Sequence, residues 1–362
     1  MNNFLDITIR GQSGVISLNR PKALNALNLD MVRAIYKSLI NWGNNNKVKN
    51  VILKSNDSRS FCAGGDIRFF YEKGLGNSKN NSALLEDFFT EEYSLNHLIH
   101  FYSKPYISIL NGVVMGGGMG ISQAGPNSRI CIVTENTKMA MPEVGIGLFP
   151  DVGGSYFLSN LKNEIGTYLG LTGDVIGHED AIYSSLADYY IPSSNLDELY
   201  ELIYFSNGNT KEIVRDFSKK FKDKNDLTQS KFLLNKNIIS EIFSLNSVSE
   251  IIKALEAVNS IFSNKVLKTL KKKSPLMMCV TLSQIRRAKN LSLSDCLRME
   301  RNMVRRCFEN GQIIEGIRAM VIDKDHMPRW SPAKVSDVSN EMIDIFFDKC
   351  WPDYAHPLKE LS

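Results

Sequence analysis

The chain has 362 residues, 43% hydrophobic, 23% charged and 9% aromatic, a balance that excludes disordered, fibrous and mini-protein classes and allows about two domains. Its 43 basic and 39 acidic side chains leave a net charge of +4, too small an excess to point to nucleic acid and compatible with an anionic small ligand. Six cysteines, at 62, 131, 279, 296, 307 and 350, form no CxxC pair and no Cys/His cluster, so reduced, mostly buried thiols and no metal are expected.

In chain order, residues 1–6 carry neither a basic stretch with an apolar core nor an Arg-rich transit pattern. A reducing cytoplasm is therefore expected, and the mitochondrial matrix only if a transit peptide has been removed. Residues 4–10 and 14–18 read as a hairpin turned at 11–14. A loop over 19–25 leads to Asn28, which caps a helix with apolar positions Met31, Ile35 and Leu39. Residues 51–53 read as a buried strand, 61–66 as a glycine loop, and 67–71 as the start of a helix. The same grammar returns at 106–110 with the loop 111–120, and at 130–133 with 141–147. Parallel strands in such units need crossover helices, so an α/β core is predicted over 1–195. From 196 to 362 the glycine loops give way to Leu, Ile, Lys, Asn and Glu at helical period, and a mostly helical region is predicted, with Ser274-Pro275 as a helix start.

One stretch imitates a membrane span: between 105 and 128 no side chain is charged, and Gly112, Gly116 and Gly120 sit at GxxxG spacing. Its six glycines, with Ser108, Asn111, Ser122 and Gln123, are poor payload for hydrocarbon. A buried strand followed by a glycine loop and a helix fits better, and no membrane partner is expected.

The chain has no GxSxG elbow, no GxGxxG, no Walker A loop and no HExxH, and none of its five histidines stands beside a plausible nucleophile. Chemistry must then come from carboxylates and backbone. Two glycine loops, Gly64-Gly65 and Gly116-Gly117-Gly118, each lie between an apolar strand and a predicted helix, where free N–H groups point outward. Side by side they would make an oxyanion hole; each alone reads first as a tight turn and close packing. Glu143 follows Pro142 and Asp151 follows Pro150, so each carboxylate has a structural reading as dipole complement or turn residue. In apolar surroundings, two carboxyls eight positions apart in sequence would instead divide acid, base and nucleophile roles. Of Glu91 and Glu92 on one predicted helix, one is expected to face solvent. The lysines 265, 268 and 271–273 read as a solvated helix end, with contact to ligand phosphates as the functional alternative.

Taken together, Asn19-Arg-Pro-Lys-Ala-Leu-Asn-Ala-Leu27, Phe61-Cys-Ala-Gly-Gly-Asp-Ile-Arg68, Asn111-Gly-Val-Val-Met-Gly-Gly-Gly118 and Met141-Pro-Glu-Val-Gly-Ile-Gly147 resemble the crotonase, or enoyl-CoA hydratase/isomerase, superfamily. The resemblance implies a spiral of ββα units with a helical C-terminal region, and an acyl-CoA substrate whose thioester oxygen sits between two backbone amides, here Gly65 and Gly117. It also implies that coenzyme A runs along Lys22, Ala23 and Leu24 and along Ala63, Gly64, Asp66, Ile67 and Arg68, with Gly116 beside the thioester. No cofactor is implied beyond the substrate. Trimers are common in the family, which leaves a homo-oligomer open.

Departures from the pattern select a branch. Hydratases of this family carry a catalytic Glu two residues after the triple glycine, where this chain has Gly120; their second Glu corresponds to Glu143. Phe149-Pro-Asp-Val-Gly-Gly154 resembles the 3-hydroxyisobutyryl-CoA hydrolase branch, as do Glu91-Glu92-Tyr93 and Glu315-Gly-Ile-Arg-Ala319. That branch implies thioester hydrolysis in valine breakdown, with Glu143 as base or nucleophile, Asp151 as hydroxyl ligand or proton donor, and Glu92 positioning the substrate hydroxyl. Residues 309–314 depart from the branch, which has an Asp-Phe pair there. A hydratase or isomerase and a non-catalytic acyl-CoA-binding protein remain as alternatives.

Overall fold

The protein is described by a computed structural model covering residues 4–75 and 82–362. In chain order, β1 (Leu5–Arg10) and β2 (Ser13–Leu18) form an antiparallel hairpin, followed by α1 (Leu29–Gly43), capped as expected by the Asn28 side chain. Three repeats come next. The first is β3 (Asn50–Ser55), β4 (Ser60–Cys62), α2 (Ile67–Gly74) and α3 (Ala83–His100). The second is β5 (Tyr106–Leu110), β6 (Val113–Met115) and α4 (Gly117–Gly120). The third is β7 (Arg129–Val133) and β8 (Lys138–Ala140), after which come α5 (Gly154–Ser159), α6 (Ile165–Thr172) and the last strand, β9 (Tyr189–Tyr190).

The structure corrects the plain strand–loop–helix grammar in one respect. Each long strand is followed by a second strand of three residues: β4 runs into the 61–66 loop, β6 lies within 111–120, and β8 stands just before 141–147. The long strands join in one sheet, β1-β2-β3-β5-β7-β9, and the short ones in another, β4-β6-β8. All pairs after the first hairpin are parallel. This is the ββα repeat that the resemblance implied. Segments as short as Val113–Met115 carry too little alternation to be read as strands, and their pairing partners supply the signal that periodicity lacks.

Two compact units divide the chain: Met1–Gly65, Ser94–Ala140 and Val175–Leu234 form one, and Asp66–Tyr93, Met141–Asp174 and Asn235–Ser362 the other. The first holds both sheets. Val15, Ile52, Ile107, Ile109, Ile130 and Ile132 bury one sheet face against Leu199, Ile203 and Val214 of the helices Leu196–Phe205 and Thr210–Ser218. The near-continuous apolar runs of β3, β5 and β7 are those of parallel strands covered on both faces. The uncharged stretch 105–128 is β5, β6 and α4, and no helix among the described residues is long and apolar enough to cross a membrane.

The second unit is helical. Ser274 caps the helix Pro275–Ala288, with Pro275 in its first turn, as predicted. That helix packs on α5 and α6. The next helix is Leu293–Asn310, and its inward stripe of Leu293, Cys296, Leu297, Met303, Val304 and Cys307 recurs at helical period.

Candidate active site

In the first unit the two glycine loops leave adjacent strands. Cys62 of β4 pairs with Val114 of β6, so the loops at the ends of these strands emerge side by side. A Cβ on Gly64, whose φ is +100°, would lie 3.1 Å from the Met115 carbonyl oxygen and 3.5 Å from the Gly117 nitrogen. A Cβ on Gly118 would run into the Cys62 carbonyl. Side chains are excluded here because backbone meets backbone. Gly116 turns at φ 49°, ψ −117°, and α4 starts at Gly117, whose N–H has no intrahelical acceptor. Neither the Gly65 nor the Gly117 N–H donates to an acceptor among the described residues.

The segment of Lys22, Ala23 and Leu24 is fixed against the first of these loops. Ala63 N–H donates to the Leu24 carbonyl at 3.0 Å, and Leu27 N–H to the Gly64 carbonyl at 2.7 Å. Asn25 holds it from within. Fully buried at φ 58°, its amide donates to the carbonyls of Ser60 (3.0 Å) and Phe61 (3.1 Å), and its oxygen accepts from Arg20 N–H at 2.7 Å. Sequence reading left Asn25 as one residue of a loop; only its partners reveal it as the post of that loop.

In the second unit, Asp66 caps α2 through its carboxylate, with Ile67 half-buried and Arg68 exposed. This unit also gathers carboxyls. Glu92 of α3 is buried while Glu91 is only half-buried, so Glu92 is the inward member of its pair. Glu143 begins a single 3-10 turn, Glu143–Ile146, ended by Gly147 at φ 75°. Asp151 stands in the turn before α5 and accepts from the Tyr93 hydroxyl at 2.8 Å. Glu300, on the helix Leu293–Asn310, accepts from the N–H groups of Gly153 (2.8 Å) and Ser155 (2.9 Å) and from the Ser155 hydroxyl.

Burial dominates the electrostatics of this cluster. It raises Glu143 well above the ordinary carboxyl range, the Asp151 charge adds to the rise, and Lys273 opposes it. Burial and the charges of Asp151 and Glu143 do the same to Glu92. Asp151 is pushed up to about 6 by burial, held that low by the Tyr93 hydrogen bond. Where carboxyls crowd in a dry site, one keeps the charge and its neighbours keep protons; here the Tyr93 hydroxyl favours Asp151 as the anion. Glu92 Oε1 and Glu143 Oε2 are buried with no hydrogen-bond partner among the described residues. No three His, Cys, Asp or Glu side chains among the described residues are grouped to hold a metal ion.

Lys273 departs from the predicted solvated lysine face. Lys271 and Lys272 are exposed, but Lys273 is half-buried, its ammonium 3.2 Å from where a Cβ on Gly145 would stand. Residues 309–314, where the sequence leaves the branch pattern, pack on the Glu143 turn, since a Cβ on Gly147 would strike the Gln312 carbonyl. Sequence reading gave Tyr93 and Lys273 no role of their own and did not name Glu300. Glu300 had a signal: it occupies a core position in the apolar stripe of its helix.

The family described as enoyl-CoA hydratase/isomerase matches residues 13–347. The chain is 38% identical over 341 residues to the protein named 3-hydroxyisobutyryl-CoA hydrolase, mitochondrial, of Gallus gallus, covering 93% of this chain and 87% of that one. It is 39% identical to the protein of the same name from Xenopus laevis, covering 94% and 88%. Among solved structures, a carnitinyl-CoA dehydratase from Mycobacterium thermoresistibile superposes with a TM-score of 0.86 at 33% identity, covering 97% of this chain and 98% of that one. An enoyl-CoA hydratase from Rhodobacter sphaeroides superposes at 0.82 and 30%, covering 96% and 98%. Matched by the family over residues 13–347 and by these relatives along nearly the whole length, the chain belongs to the enoyl-CoA hydratase/isomerase family.

Proposed function

We propose that this chain is an acyl-CoA thioester hydrolase whose substrate is 3-hydroxyisobutyryl-CoA, split by water into 3-hydroxyisobutyrate and free CoA as in valine breakdown. The observation that carries the reading is the pair of buried, unpartnered oxygens, Glu92 Oε1 and Glu143 Oε2, in a cluster with Asp151. A buried polar atom left unpaired costs about 1–3 kcal/mol. A ligand that brings hydrogen-bond donors, such as a 3-hydroxyl and a water, removes that cost. The acyl group is taken from the names of the vertebrate relatives.

In this reading the Gly65 and Gly117 amides receive the thioester oxygen as it becomes an oxyanion. As substrate binds, Glu143 gives up its proton to the Asp151 carboxylate, and the Glu143 anion then acts at the carbonyl carbon, either by taking a proton from water or by attacking through its own oxygen. The tetrahedral intermediate then collapses, the C–S bond breaks, and Asp151 passes a proton to the departing thiolate. Glu92 holds the 3-hydroxyl. Lys22, Ala23, Leu24 and the run Ala63–Arg68, with Gly116, carry the CoA portion. Hydrolysis calls for no metal and no redox cofactor, and the six free thiols suit a reducing compartment such as the cytoplasm.

A second reading, hydration or isomerisation of an enoyl-CoA, is favoured by the names of the two solved structures. Against it stands Gly120, buried in α4, which offers no carboxyl where that chemistry takes its first glutamate. Thiol release from 3-hydroxyisobutyryl-CoA, measured in parallel with crotonyl-CoA hydration, separates them. Release that disappears in Glu143→Gln supports the hydrolase; loss of crotonyl absorbance without release overturns it. Binding with neither reaction makes the chain a non-catalytic acyl-CoA-binding protein. Single turnover in ¹⁸O-water labels the Glu143 side chain only by the anhydride route.

A further inference from the structure

The turn carrying Asp151 is conformationally costly. Val152, a β-branched residue, adopts φ +55°, and Gly153 comes next at φ +83°. Such a backbone persists only where its surroundings over-determine it. Gly154 N–H closes the turn on the Asp151 carbonyl at 2.6 Å, and the Gln284 amide donates to the Pro150 carbonyl at 2.7 Å. Three further polar groups of the turn converge on one side chain. Glu300 takes the Gly153 N–H on one carboxyl oxygen and the Ser155 N–H and hydroxyl on the other.

Glu300 is fully buried on an otherwise apolar stripe, flanked one turn away by Leu297 and Val304. A carboxyl in that register is expensive and is retained only where its acceptors are needed. Its own helix is anchored at the next residue. Arg301 is buried and donates to the Thr90 hydroxyl at 3.0 Å and to Glu86, about one and two turns before Tyr93 on α3. The Leu293–Asn310 helix therefore holds the turn that bears Asp151 and, through the adjacent residue, the helix that bears the hydroxyl donor of Asp151.

We propose that Glu300 is a positioning residue for Asp151: by accepting from Gly153 and Ser155 it locks the 151–155 turn so that the Asp151 carboxyl meets the Tyr93 hydroxyl and faces the reacting group. Glu300 touches no substrate in this scheme. The inference rests on the assignment of Asp151 to the hydrolase reaction.

Glu300→Gln keeps the volume and one acceptor oxygen but sets a donor against one of the N–H groups. In the folded variant, kcat for thiol release from 3-hydroxyisobutyryl-CoA is expected to fall about ten- to hundredfold, with KM within about twofold. Amide exchange at Gly153 and Ser155 is expected to speed at least ~tenfold, and not to do so in Glu143→Gln. Ser155→Ala removes only the hydroxyl, and a kcat loss of about three- to tenfold is expected with the melting temperature retained. Unchanged exchange at Gly153 in Glu300→Gln overturns the proposal, as does a lowered melting temperature with kcat unchanged. Should Glu300→Gln fail to fold, Ser155→Ala decides: unaltered kcat and unaltered exchange overturn it. If Asp151→Asn turns over like the parent, the role of Asp151 in the reaction falls, while exchange in Glu300→Gln still reports whether Glu300 holds the turn.

Discussion

The glycine-loop region of the first unit and the carboxyl cluster of the second are made of different material. The loops are backbone: Gly64, Gly65 and Gly116–Gly118 contribute N–H groups and the absence of Cβ atoms, and the paired strands β4 and β6 set their spacing. The cluster is side chain: Glu92, Tyr93, Glu143, Asp151 and Glu300 come from α3, two turns and a distant helix, and burial sets their charge. The lesson of the contrast is that backbone donors keep their character at any pH and fail by steric intrusion. Desolvated carboxyls tolerate isosteric change in shape but fail when a proton is misplaced.

The largest expected effect belongs to the cluster. Glu143→Gln should leave acyl-CoA binding within a fewfold and lower kcat by about a thousandfold; thiol-release kinetics beside a binding isotherm would check it, and activity within tenfold of the parent would break the assignment. On the backbone side, Gly118→Ala forces the new methyl into the Cys62 carbonyl. It should cost about 1–3 kcal/mol of stability and disturb both glycine loops, read as a lowered melting temperature together with lost turnover.

A third test sharpens the contrast through pH. Glu143 must be ionised to act as base or nucleophile, and its pKa is raised by burial and by Asp151. Activity should rise with pH through the neutral range, with the acid limb of kcat/KM well above the ordinary glutamate range. Tyr93→Phe removes the hydrogen bond that holds Asp151 down, so the Asp151 carboxyl should titrate higher and kcat should fall about tenfold. A profile unmoved by the substitution would show that Tyr93 only packs.

The smallest expected effect is on stability. Burial lifts Glu300 to about 8, partly offset by its bonds from Ser155 and Gly153. With the folded pKa above the unfolded value near 4.3, the native state binds the extra proton, so stability from this group is full below the unfolded pKa and is lost as pH rises toward 8. The melting temperature should decline between about pH 5 and pH 8, and Glu300→Gln should flatten the decline. An equal slope in both proteins would remove Glu300 from the titration.

The parts of the site carried by local motifs were legible in the chain. The glycine loops, Glu143 after Pro142 and Asp151 in Pro-Asp-Val-Gly-Gly are contiguous patterns, and each lies where a strand or turn delivers it. Tyr93, Asn25 and Glu300 were not legible, since the meaning of each lies in partners far away in sequence: Asp151, the Ser60 and Phe61 carbonyls, and the Gly153 and Ser155 amides. The short strands β4, β6 and β8 escaped for the same reason. Three residues have no period of their own, and only pairing with one another defines them.

By itself, then, the sequence determined the long apolar strands, the helix caps at Asn28 and Ser274 and the candidate residues for chemistry, because those depend on neighbours within a few positions. Tertiary structure alone decided which carboxyl holds the charge and what braces the Asp151 turn. Burial and long-range hydrogen bonds govern both, and neither exists until distant segments meet.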